Sequence, residues 1–347
     1  MLMNSAIAAA VLAAFAGQAT AASVHRHLHQ EAVEKRAAET EVVTVFETVY
    51  VTMGQGGAAA PTANVHDEHA PAPRPSSKPE PAVMIEEKAV DNPAPSKVAS
   101  KSKSNGSSLP GKRGMAYNNA DLANAFGGAC KSCGWGYNWA STRDGLDSKY
   151  NFVPMLWGDR HEFTSVWDKN CEQAIASGST HVFSFNEPDH ASQAALDPVY
   201  AAQLHAKHMN KYSGRVQIGA PSVTNSGNPG EGLEWLKSFM DACNAQPGGC
   251  AVDFCNVHWY SQPQWANTLF DHLKKARDIC NGKKIWLTEF APIEASDEQL
   301  TEFMRDVIPK LDRLDYLDAY SYFMVAEGNL MSSSNSLSNY GEAYATV

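Results

Sequence analysis

Apolar and aromatic side chains return along the chain in short runs that alternate with longer stretches of helical spacing. Eight such runs read as strands, at residues 114–117, 134–138, 152–156, 181–185, 216–220, 253–258, 284–288 and 318–323. Between them, residues 168–177, 198–212, 232–243, 265–280 and 297–314 have a helical pattern. In the last of these, Leu300, Phe303, Met304, Val307 and Leu311 fall on one face. Strands alternating with helices imply a parallel sheet, either closed or doubly wound. A doubly wound nucleotide-binding sheet needs a glycine-rich turn after its first strand. Here Tyr117-Asn118-Asn119-Ala120-Asp121 has no glycine, and Gly127-Gly128 comes too late and lacks a third. The expected fold is therefore α/β, a single (β/α)8 barrel of the TIM type over residues 113–347. Those 235 residues fit the roughly 250 typical of the fold.

The first 112 residues are different material, since all eight Trp and all seven Cys lie after residue 129. Residues 5–15 form an uncharged Ala-rich run, shorter than the roughly 20 residues a bilayer span needs. The small-residue stretch Gly17-Gln18-Ala19-Thr20-Ala21 follows, so 1–21 reads as a secretory signal peptide. Residues 22–112 read as a disordered leader or propeptide. Nine of the 18 Pro lie in 58–112, where too little apolar area is available to offset the entropy of ordering. Lys35-Arg36 and Lys112-Arg113 are pairs of the kind that secretory proteases cut, the second reading equally well as a solvated charge pair. Residues 42–52 are β-prone, and Asn105-Gly106-Ser107 is a glycosylation sequon.

A secreted chain with seven Cys is expected to hold mostly disulfides with one thiol left over. Cys243 and Cys250 bracket the turn Pro247-Gly248-Gly249 and are the expected pair. Cys130-x-x-Cys133 reads as a disulfide or loop feature, because no second such pair accompanies it. The leader histidines, at 25, 27, 29, 66 and 69, are irregularly spaced, and neither metal nor cofactor is expected. A net charge of −10 lacks the positive field that sequence-independent nucleic-acid binding needs. No long apolar tail marks residues 337–347, so no membrane span is expected there. The expected state is a secreted monomer, outside the cell or in its wall.

Two motifs carry chemistry. Phe185-Asn186-Glu187-Pro188-Asp189 and Leu287-Thr288-Glu289-Phe290-Ala291 each place a Glu at the carboxyl end of a strand, the fourth and the seventh. Functional groups of a (β/α)8 barrel come from those ends and share one mouth. Two carboxyl groups in an aromatic-lined mouth are what glycoside hydrolysis requires, one to protonate the leaving oxygen and one to attack the sugar or activate water. His258 and Tyr260 are two apart on the sixth strand and so share a face, from which one of them can hold a carboxylate rotamer. His258 reads alternatively as a core histidine. Trp139, Trp157 and Trp259 follow strands and offer either sugar-stacking faces or core. Asp189 suits capping of a following turn.

With Lys112–Asn118, Gly136-Tyr-Asn-Trp139, Phe152–Trp157, Phe185–Asp189, Gly219–Ser222, Val257–Tyr260 and Trp286–Ala291, the chain resembles the Asl1-like glycosyl hydrolases. These are the fungal β-1,3-glucanases of glycoside hydrolase family 128. The resemblance covers 113–347 and implies a retaining, endo-type enzyme of the fungal wall whose partner is β-1,3-glucan. It implies Glu187 as acid/base, Glu289 as nucleophile, Asn186 at the sugar beside the scissile bond, and His258 with Tyr260 as support. A catalytically silent glucan-binding wall protein and a transglycosylase on the same barrel are the alternatives.

Overall fold

The computed structural model describes residues 109–347. The signal-peptide and leader readings, Lys35-Arg36, the β-prone run at 42–52 and the sequon at Asn105 lie outside the described residues.

Eight strands form one parallel sheet: β1 (Arg113–Tyr117), β2 (Cys133–Tyr137), β3 (Asn151–Phe152), β4 (His181–Val182), β5 (Gln217–Val223), β6 (Phe254–Ser261), β7 (Lys284–Pro292) and β8 (Leu317–Val325). Their order is β3-β2-β1-β8-β7-β6-β5-β4. Met155 bridges Phe183 in parallel just past β3 and β4, and the amides of Leu156 and Phe183 donate to Phe183 and Pro154 carbonyls. The ring thus closes where the ladder is weakest. β3 and β4 are two residues each, against five expected: Pro154 has no N–H to continue the β3 ladder, and past Val182 pairing is reduced to isolated bridges at Phe183 and Asn186.

The helices are α1 (Ala120–Ala129), α2 (His161–Ala176), α3 (Pro198–Met209), α4 (Gly232–Ala245), α5 (Asn267–Ile279), α6 (Asp297–Arg313) and α7 (Asn339–Thr346). Among the described residues, no helix joins β2 to β3. Asn119 starts α1 by accepting from the amides of Asp121 and Leu122, and Asp197 caps α3 the same way. Ser296 and Gln299 close a capping box on α6, which buries Phe303, Met304, Val307, Ile308 and Leu311, most of the face expected from the sequence.

Alternation sends two sets of side chains to two cores. Trp135, Phe183, Phe254 and Trp286 fill the ring interior, the last two stacked with centroids 4.7 Å apart. This aromatic plug is the floor on which the polar site rests. It also explains two glycines: a Cβ at Gly114 would fall 2.2 Å from the Trp135 ring, and one at Gly219 would fall 2.7 Å from Phe254.

Disulfides join Cys130–Cys133, Cys243–Cys250 and Cys255–Cys280, and Cys171 is the buried free thiol. The first ties the end of α1 to β2, and the second is the pair expected from its turn. The third, between β6 and the end of α5, has no local sequence signal.

Lys112-Arg113 is neither an exposed cutting site nor a solvated pair. Arg113 is 2% exposed. Its guanidinium donates to the Tyr320 hydroxyl at 3.0 Å, to Asp312 at 3.2 Å, and to the carbonyls of Val347 at 2.9 Å and Tyr344. Lys112 reaches the carbonyls of Asp312 and Leu314. These acceptors are long-range neighbours, invisible to a local reading of two basic residues.

Candidate active site

Glu187 follows β4 with φ of +41°, a left-handed conformation that a side chain with a Cβ adopts at a cost of order 1–3 kcal/mol. Its amide donates to the Ser222 carbonyl at 2.7 Å, while Asn186 bridges Ser222 and donates its amide to the Trp157 carbonyl. Those neighbours hold the strained turn and aim Glu187 into the mouth. Glu289 comes from β7, opposite. The ladder pairs Val257 with Leu287 and His258 with Glu289, so Thr288 is the extra residue of a β-bulge. A bulge places two successive side chains on one face. Thr288 and Glu289 therefore both point inward, toward Asn256, His258 and Tyr260 of β6.

Glu187, His258 and Glu289 have no exposed surface, and one ligand-type atom from each lies within 4.8 Å of the other two. His258 Nδ1 is 2.8 Å from Glu187 Oε1, and its Nε2 is 3.0 Å from Thr288 Oγ1 and 3.5 Å from Glu289 Oε1. The Tyr260 hydroxyl donates to Glu289 Oε2 at 2.5 Å and the Trp139 indole to Oε1 at 2.8 Å. Three buried groups of this kind are also a possible metal-ligand set. Here both imidazole nitrogens face protein partners and both oxygens of Glu289 accept from neutral donors, an arrangement that supports a carboxylate. Burial pushes Glu289 above the usual carboxylate range. His258 pulls it back, Glu187 adds to the rise, and the Tyr260 and Trp139 donors oppose it.

The structure brings Asn186, Glu187, His258, Tyr260, Glu289 and Trp139 together. Trp139 (φ +58°) contributes its N–H to Glu289, with its ring packed against Tyr137 and Phe323. The Trp157 carbonyl accepts from the Asn186 amide at 2.9 Å, and the Arg160 guanidinium sits 5.3 Å above its ring. Together with Asp159, Ser192 and Gln193, Trp157 and Arg160 line a cavity of about 230 Å³. Trp259 is a correction. It follows His258 by one residue and so points out of the ring, stacked on Phe303 of α6 and donating to Thr268 of α5 at 3.1 Å. Its face is core and meets no ligand in the mouth. Asp189 is corrected too. It accepts from the amides of Thr224 and Gly232, so it caps α4 across the fold and not the turn that follows it.

The sequence reading missed Thr288, Asn256 and Gln193. Thr288 accepts from Tyr137 and Ser321 at its carbonyl, and its hydroxyl donates to Asn256 at 2.7 Å. Gln193 accepts from the Asn186 amide at 3.4 Å. Asn256 could have been found, being two residues before His258 on the same face.

A family described as the glycosyl hydrolase catalytic core matches residues 114–344. Alkali-sensitive linkage protein 1 of Schizosaccharomyces pombe is 31% identical over 258 residues, covering 69% of this chain and 45% of that protein. The chain thus spans less than half the length of this curated relative. Among solved structures, a curdlan-specific exo-β-1,3-glucanase of family 128, subgroup III, from Blastomyces gilchristii, in complex with glucose, is 37% identical. Its TM-score is 0.63, over 69% of this chain and 100% of that one. A subgroup I endo-β-1,3-glucanase from Amycolatopsis mediterranei, in complex with laminaritriose, is 25% identical with a TM-score of 0.58, over 67% and 98%. The chain belongs to the glycosyl hydrolase catalytic-core family, in glycoside hydrolase family 128.

Proposed function

We propose that this protein is a secreted retaining hydrolase of β-1,3-glucan, acting in the fungal wall, with Glu187 as acid/base and Glu289 as nucleophile. The observation that carries this reading is a pair of buried carboxylates with one oxygen of each within 4.8 Å of the other, an approach that leaves little room for a water between them. Retaining pairs stand about 5–5.5 Å apart, whereas inverting pairs leave about 6.5–9.5 Å for a water. Tyr260 and Trp139 donate to Glu289 and orient it toward the anomeric carbon. Asn186 and the Trp157 cavity receive the sugar next to the scissile bond. The glucanases among the relatives act on β-1,3-glucan from the end or from within, and that linkage is the substrate we assign. Catalysis belongs to 113–347, with 1–21 a signal peptide and 22–112 a leader. Three disulfides support export, since such bonds persist in oxidising compartments. No helix among the described residues is long and apolar enough to cross a membrane.

The test is incubation of the full chain with linear β-1,3-gluco-oligosaccharides, following the anomer of the new reducing end by NMR. β-Product forming first supports retention, and product lengths separate internal from terminal cleavage. α-Product forming first would refute the nucleophile role of Glu289. Glu289→Ala should abolish turnover, and azide should restore some of it as the α-glycosyl adduct.

A further inference from the structure

A file of buried groups runs from the acid into the barrel. Glu187 Oε1 is 2.8 Å from His258 Nδ1, His258 Nε2 is 3.0 Å from Thr288 Oγ1, and that hydroxyl donates to Asn256 Oδ1 at 2.7 Å. All four residues have no exposed surface, so bulk water does not compete for these bonds. A threonine hydroxyl carries one hydrogen. Given to Asn256, it leaves only lone pairs toward His258, and Nε2 must be the donor. In a neutral imidazole the other nitrogen is then an acceptor. The carboxyl oxygen facing Nδ1 must bring its own proton.

We infer that Thr288 and Asn256 are positioning residues that hold His258 as its Nε2–H tautomer, so that Nδ1 accepts the acidic proton of Glu187 in the free enzyme. The mechanistic meaning rests on the retaining-hydrolase reading. In the first step the Glu187 proton passes to the glycosidic oxygen as its bond to the anomeric carbon breaks, and Glu289 forms the bond to that carbon. The Glu187 carboxylate then faces the Nδ1 lone pair. That contact is relieved when water gives Glu187 a proton and its oxygen displaces Glu289 from the sugar. The bulge at Thr288 is what makes the lock possible, because regular alternation would turn the hydroxyl away. Other titratable groups facing His258 include Glu289, 3.5 Å from Nε2, and His272, which bonds its backbone.

The test uses the full chain labelled with ¹⁵N-histidine. Two-bond ¹⁵N–¹H correlations report the tautomer, and loss of one signal set in His258→Gln assigns it. The expected pattern is Nε2–H in the unaltered protein and in Thr288→Ser. Thr288→Val should switch it to Nδ1–H and move the basic limb of kcat on unactivated oligosaccharide down by about one pH unit, while Thr288→Ser keeps the limb in place. A purely structural role for Thr288 would lower the rate without moving the limb. An Nδ1–H or doubly protonated His258 in the unaltered protein overturns the inference, and that measurement needs no variant to fold. An intact Nε2–H signal without hydrolysis would count against the proposed activity and support the tautomer.

Discussion

Replacing Tyr260 by Phe removes one hydroxyl and leaves the ring on its strand. That hydroxyl donates to Glu289 Oε2 at 2.5 Å, inside a site with no exposed surface. A hydrogen bond to a buried charge contributes about 1.5–3 kcal/mol, and one pKa unit corresponds to about 1.36 kcal/mol. The donor favours ionised Glu289, the nucleophile in the proposed reaction, so its loss raises a carboxyl that burial has already raised. The acid limb of kcat/KM should move to higher pH by about 1–2 units. The assay is a pH–rate profile on an activated aryl β-glucoside, for which protonation of the leaving group matters little and the acid limb reports Glu289 alone. Trp139→Phe removes the second donor, at 2.8 Å to Oε1, and should move the limb in the same direction. An acid limb that stays in place in Tyr260→Phe, or moves to lower pH, would refute the argument that these donors hold Glu289 ionised.

Glu187→Gln should retain much of its glycosylation rate with an activated aryl leaving group, accumulate the intermediate, and fail on unactivated glucan; equal loss on both, read by burst kinetics, would remove Glu187 from the acid role. Arg113→Ala, which strips Asp312 and two carbonyls of their buried donor, should cost about 3 kcal/mol and lower Tm by roughly 6–12 °C in calorimetry. A chain starting at Gly106 keeps that clamp and should melt with the full chain; a drop of several degrees would mean that the leader packs on the barrel. His181, His205 and His272 are held down to about 4 by burial, against an ordinary value of 6.5. The folded state therefore binds fewer protons in that window, and stability present above pH 6.5 is lost as pH falls toward 4. Each histidine accounts for on the order of 3 kcal/mol below both values. Glu289 and Asp189, both raised by burial, act in the opposite sense and lose stability as pH rises, two groups against three. Denaturant midpoints across that pH range check the slope.

The strands and five of the seven helices were legible because periodicity and caps are local, and Glu187 and Glu289 were legible from Asn-Glu-Pro and Thr-Glu-Phe, although Glu187 lies past the end of β4 and Glu289 lies inside β7. What was not legible depends on contacts between distant residues. Thr288 was hidden by a bulge, which breaks the alternation that sequence reading assumes. Trp259 read as either a sugar-stacking face or core, and one step along the strand from His258 sends it to the opposite face, into core. Arg113 read equally as part of a processing signal or as a solvated charge because its acceptors lie about 200 residues away. β3 and β4 were overestimated because the pattern of apolar residues continues after the regular ladder stops.

Arg113 and its strand also constrain the order in which the domain can be completed. β1 pairs with β8, and the guanidinium closes on carbonyls of Tyr344 and Val347, so the first strand of the described residues depends on residues synthesised more than 200 positions later. At about 5–20 residues per second, that strand waits on the order of ten to fifty seconds for its partner. Through that interval it has an open edge and a bare cation where the finished ring has neither. A chain stalled short of residue 344 would keep both, and cellular proteases would meet it as an unclosed ring rather than as a slightly shortened enzyme.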